Sequence, residues 1–170
     1  MSFDIAFSVV ISFVAMIMDL RTARIDNGWI LFSIAAVLFY RAVNGEFREI
    51  WLGLPGLLLP LVLLGGLFCF RMIGAGDIKL FCALGFLMGM ETVGKCILAA
   101  FFLGAAISLT ILISCGIFCQ RILFLICYLK EYIKTGVRKP YRKKGMEQPE
   151  NFHFTVPIFM SVLLHAGGVY

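Results

Sequence analysis

The sequence predicts an all-α polytopic membrane protein of about six transmembrane helices, and three observations carry that expectation. Hydrophobic residues make up 61% of the chain and charged residues only 15%. Mean hydropathy is +0.97. A soluble domain of 170 residues cannot bury that much apolar surface, because too large a share of it meets water. The charges, moreover, are gathered between long apolar runs instead of being spread along them. A bilayer core relieves the solvation problem, and helices satisfy their backbone polar groups within one segment. The length suits a single membrane-embedded domain, residues 1–170.

The first helix is expected at about 5–20, with Asp19 in its last turn. Residues 1–20 have no basic n-region and no A-x-A cleavage site, so they read as a retained helix and not as a signal peptide. The second is expected at 28–43, and the third at 50–70, uncharged for 21 residues but interrupted by Pro55 and Pro60. The fourth, 77–90, is short. The fifth, 96–129, carries Arg121 as its one charge, and the sixth covers 154–170. Between the last two lies a polar segment, 130–151, rich in Lys and Arg. Its Lys130, Lys134, Arg138 spacing suits either a solvated cytoplasmic loop or a basic helix on anionic inner-leaflet lipids.

Several segments fall short of the ~20 residues that cross ~30 Å at ~1.5 Å per residue. Local thinning or a buried place in the bundle accommodates them. A re-entrant fourth segment would reverse everything after it, and the basic residues test that. With six crossings and the N-terminus outside, twelve Lys and Arg fall in inner loops, against Arg41, Arg48 and Lys95 outside. That is the bias of cytoplasmic loops, and without the fourth crossing the 130–151 segment would face outward.

Net charge is +5, but its segregation makes a membrane surface, not nucleic acid, the expected partner. No P-loop or dinucleotide fingerprint occurs. The six cysteines form no C-x-x-C pair. Cys115 and Cys119 would share a helix face, yet two thiols do not make a four-ligand zinc site, so buried reduced thiols are expected. His153 and His165 are far apart, and no carboxylate partner is expected for either. No metal or cofactor is expected, and no Ser/His/Asp or Cys/His set is visible.

Of ten acidic residues, eight sit in loops or at outer helix ends. Asp19 and Asp77 do not. Each stands at the cytoplasmic margin of an apolar helix, where an ionised carboxylate is costly unless paired or functional. Two carboxylates at one depth, if close, share a proton; the ionised one takes a proton from water while the protonated one polarises a carbonyl, as in aspartic proteases. Asp77 lies in Gly74-Ala75-Gly76-Asp77-Ile78-Lys79, where the glycines permit unusual backbone angles or close approach of another segment, and the helix N-terminus favours negative charge. The bland reading is an Asp capping a helix on a Gly-rich turn.

Gly-x-Gly-Asp-x-Lys opening a helix resembles the signature of the prepilin peptidases, the A24 family of membrane aspartyl proteases. The stretch Asp19-Leu20-Arg21-Thr22-Ala23-Arg24-Ile25-Asp26-Asn27 resembles the family's other motif, an Asp leading to Arg-x-Ile-Pro-Asn. The resemblance extends over nearly the whole chain. It implies that Asp19 and Asp77 are the catalytic dyad, with Gly74, Gly76, Lys79, Arg24 and Asn27 as supporting motif residues. It also implies cleavage, on the cytoplasmic side of the bacterial inner membrane, of the short basic leader of type IV prepilins or pseudopilins after a glycine. Two departures stand out. Asp26 replaces the family's proline, and the paired C-x-x-C motifs of methylating members do not occur. The chain therefore resembles the short peptidase-only members of tight-adherence (Flp-type) pilus systems.

Other residues have two readings each. Lys79 either acts on Asp77 or a substrate carbonyl, or anchors at the lipid interface. Asn27 is expected to cap the second helix, and Pro157 to pack or kink the last one. The rival function is a small cation- or proton-binding transporter-like bundle, for which Gly65-Gly66, Pro55 and Pro60 would break a helix. Presenilin-like proteases share Gly-x-Gly-Asp but pair it with a Tyr-Asp motif that does not occur here.

Overall fold

In lipid each backbone N–H and C=O must find its partner inside its own segment, so apolar runs become helices. The computed structural model describes residues 3–69, 72–114 and 153–169. Among these residues six helices follow in order: α1 (Phe3–Thr22), α2 (Asn27–Val43), α3 (Phe47–Cys69), α4 (Ala75–Met88), α5 (Met90–Ser114) and α6 (Thr155–Ala166). Among the described residues there is no strand. The helices α1 and α3 and the Met90–Ile111 stretch of α5 are each long and apolar enough to cross a membrane, and α2 and α6 are shorter apolar helices. The chain divides into two units, 1–104 with 153–170, and 105–152. In the second unit the described residues are the end of α5, Ala105–Ser114.

The fifth helix starts at Met90, earlier than Cys96. Gly89, at φ 83°, turns the chain straight out of α4, and Glu91 lies in the first turn, where the helix dipole favours an acid, paired to Lys95 at 2.8 Å. The expected continuation to Leu129 and the basic 130–151 segment lie outside the described residues.

In the first unit α4 is the inner helix, packed on α1, α2 and α3. Ile78, Leu80, Phe81, Ala83, Leu84, Phe86 and Leu87 are all buried. A helix of 14 residues is only about 21 Å long, and protein on most sides removes the need to match lipid. The neighbours turn Leu31, Phe32, Phe39, Trp51 and Val62 outward. Such large exposed apolar side chains suit hydrocarbon and not water.

The helices α3 and α4 meet backbone to backbone. A Cβ on Gly56 would collide with the Gly85 carbonyl, one on Gly85 with the Gly56 carbonyl, and one on Gly53 would come 2.6 Å from the Phe86 oxygen. Small residues let helices approach this way in membranes. Gly65 and Gly66 meet nothing within 4 Å, and α3 continues as one helix through both and through Pro55 and Pro60. The helix break anticipated for the transporter-like reading is not there.

Buried hydroxyls look after themselves: Ser8, Ser12, Ser33 and Ser161 each donate to a carbonyl one turn earlier. Arg41 is a different case. Counted in sequence as an outer charge, it is 4% exposed. Its guanidinium donates to the carbonyls of Glu49 (2.9 Å), Phe86 (3.2 Å) and Leu87 (3.0 Å), lies 3.5 Å from Asp4 and sits over the Phe86 ring. It closes the C-terminal end of α4, whose last carbonyls have no helical partners. Arg41→Met keeps the apolar stem but leaves those carbonyls bare. It is expected to destabilise the fold by about 3 kcal/mol, read as a lower unfolding midpoint in detergent.

Candidate active site

The loop between α1 and α2 is set by local chemistry. Ala23, at φ 52°, adopts the left-handed turn that ends many helices, and its N–H returns to the Asp19 carbonyl at 2.8 Å. The Thr22 hydroxyl contacts the carbonyls of Met18 and Arg24. Helix α2 is capped by Asp26, whose carboxylate accepts from the Gly28 N–H at 3.1 Å. The cap expected at Asn27 is thus made one residue earlier, which gives a physical role to the acid that replaces proline. Arg21 and Arg24 are exposed.

At the α3–α4 turn, Gly74 is the N-cap and Asp77 the third helical residue, so its carboxyl folds back toward Gly74. This is the position of the acidic residue in a capping box, the place the bland reading of Asp77 gave it. Gly74 has φ −72°, open to any residue, but a Cβ there would stand 3.2 Å from the Asp77 carboxylate. A Cβ on Gly76 would come 3.3 Å from Ile25. Close approach, and not a glycine-only backbone angle, is what these two positions require.

The two motifs meet. Lys79 Nζ donates to Asn27 Oδ1 at 2.8 Å across 52 residues, and Ile25 packs against Gly76. This brings Asp19, at the end of α1, and Asp77, at the start of α4, to one end of the first unit. The half-buried Asp77 carboxyl lies within electrostatic reach of Asp19. Asp19, with its side chain 15% exposed, accepts through Oδ2 from the Thr155 hydroxyl at 2.8 Å, and the same oxygen lies 3.1 Å from His153 Nδ1.

That contact corrects the reading of His153, which has a carboxylate partner after all, 134 residues away in sequence. A signal existed: under the six-crossing topology the start of the last helix falls at the same margin as Asp19. Pro157 lies in the first turn of α6, where its missing N–H costs nothing, buried beside Gly104. It is a packing proline.

Two carboxylates within electrostatic reach can hold one proton between them and serve as base and acid toward a water and a carbonyl. Beside them, an open groove of about 530 Å³ runs from the end of α3 to the start of α4, lined by Phe68, Cys69, Met72, Ile73, Gly74 and Ala75. A cavity of about 250 Å³ at the other end of the unit is lined partly by Arg41, Phe86 and Leu87, and so belongs to the α4 closure already described.

A family model described as the type IV leader peptidase family matches residues 6–109. The match contains both carboxylates, Asn27, Gly74, Gly76 and Lys79, and stops short of His153 and Thr155. No curated protein and no solved structure matches the chain.

Proposed function

The chain belongs to the type IV leader peptidase family, a family of proteases, and we propose that it is a multi-pass aspartyl endopeptidase of the bacterial inner membrane in which Asp19 and Asp77 form the catalytic pair. Its substrates are type IV prepilin-like proteins, cut on the cytoplasmic side after the glycine that ends a short basic leader. The observation that carries this reading is the convergence of two sequence-distant motifs, through Lys79–Asn27 and Ile25–Gly76, on two carboxylates that sense one another.

The chemistry follows from a pair holding one proton. A water lies between the carboxylates; the ionised one removes its proton as the oxygen attacks the scissile carbonyl carbon. The protonated one gives its proton to the carbonyl oxygen, forming a neutral gem-diol. A proton then passes to the amide nitrogen and the C–N bond breaks. The leader leaves with a new carboxyl end, the pilin with a new amino end, and the pair again holds one proton. The location suits the substrate, because a pilin's apolar helix lies in lipid and its leader joint emerges at this depth. The groove beside Gly74 supports a seat for the first apolar residues after the cut.

The test is cleavage of purified prepilins, Flp-type ones included, by the protein in detergent or liposomes. The expected product begins at the residue after the leader glycine, and mass spectrometry of both fragments reads it. Absence of cleavage for every prepilin tried would turn attention to a cation-binding bundle, with ion flux as the next measurement.

A further inference from the structure

We propose that Thr155 and His153 are positioning residues that hold Asp19 by its Oδ2 oxygen and so make Asp19 the member of the pair that takes the proton from water, with Asp77 as the proton donor. The assignment rests on the dyad reading above and deepens it by giving the two carboxylates different tasks. Thr155 is fully buried, and its one hydroxyl hydrogen is spent on Oδ2 at 2.8 Å. This choice of partner is unusual for this protein. The buried Ser8, Ser12 and Ser33 return their hydroxyls to a carbonyl of their own helix, and Ser161 does so beside the Cys96 thiol, whereas Thr155, at the first position of α6, reaches a carboxylate on α1.

His153 adds a second contact to the same oxygen, at 3.1 Å, and with a hydrogen on Nδ1 the ring donates as well. An oxygen engaged by two donors is an acceptor, so the proton shared by the pair does not sit there. Among the described residues no hydrogen bond reaches Oδ1, which leaves that oxygen for water. The torsion that turns a carboxylate is soft, and two contacts on one oxygen fix it. The packing of α1 on α6, with Phe13 and Phe159 rings 5.4 Å apart, holds both partners in register.

The test uses the full chain in detergent with a cleavable prepilin and separates hydrogen bonding from packing. Thr155→Val keeps the shape and removes the donor; kcat is expected to fall roughly 10- to 100-fold with KM unchanged. Thr155→Ser restores the donor and is expected to restore most of kcat. His153→Leu is expected to lower kcat, and His153→Asn, whose side-chain amide N–H stands near the place of Nδ1, to recover it. Thermal unfolding accompanies each variant. If Thr155→Val does not fold, the His153 pair decides by the same criteria. A Thr155→Val enzyme with wild-type kcat, a Thr155→Ser enzyme as damaged as Thr155→Val, or a loss confined to KM would overturn the assignment. Wild-type cleavage abolished by Asp19→Asn yet indifferent to these changes sinks this inference alone, and no wild-type cleavage of any prepilin sinks the dyad reading with it.

Discussion

Asp19→Asn and Asp77→Asn are each expected to lower prepilin cleavage by at least ~10³-fold, because each removes one half of an acid–base pair that works only as a unit. Asparagine keeps the size of aspartate and, at position 19, an oxygen able to accept from Thr155, so both variants should unfold close to wild type. The double variant is expected to be no worse than either single one, since the second substitution removes a partner already idle. The measurement is initial cleavage rate in detergent, with unfolding midpoints alongside. Survival of activity in both single variants would remove the pair from the mechanism. Loss with a collapsed midpoint would make the effect one of folding, which the near-isosteric change is chosen to avoid.

The next largest effect concerns the crossing that carries Asp77. Gly56→Ala and Gly85→Ala each drive a methyl into a backbone carbonyl of the facing helix, and a carbonyl cannot swing aside as a side chain can. Each is expected to destabilise the protein by about 3 kcal/mol or more, at the upper end of what overpacking costs. The separation of α3 from α4 should also move Asp77 relative to Asp19, so activity falls in whatever protein remains folded. Gly65→Ala and Gly66→Ala lie in the same helix but meet open space. They are expected to be neutral or to stabilise by up to ~1 kcal/mol, because alanine restricts the unfolded chain and favours helix. Chemical unfolding in one detergent compares all four. Equal behaviour of the two glycine pairs would show that the α3–α4 contact is looser than described.

Much of this was readable before any fold was known, and the reason is that some properties are local. Apolar run length and the placement of charges depend on neighbours in sequence, so the all-helical class and the approximate positions of the helices follow from them. The two odd carboxylates were legible for the same reason, since an acid at the margin of an apolar run is conspicuous wherever the chain goes. Parity of crossings then brought Asp19 and Asp77 to one end without any knowledge of packing.

What only the tertiary structure decided are the contacts between segments. Arg41 looked like one more outer-side charge, and it proved to be the buried closure of α4. Gly65-Gly66 looked like the weak point of α3, yet the glycines that matter are Gly56 and Gly85, whose carbonyls define how near two helices lie. Asp26 became a cap, and Lys79 the tie between two motifs. His153 and Thr155, 134 and 136 residues from Asp19, became its partners. Sequence alone determined the solvent, the helices and the two acids at one margin, because burial in lipid is dictated segment by segment. The tertiary structure alone determined what touches those acids, because a hydrogen bond across helices depends on rotation and depth that no run of neighbours encodes.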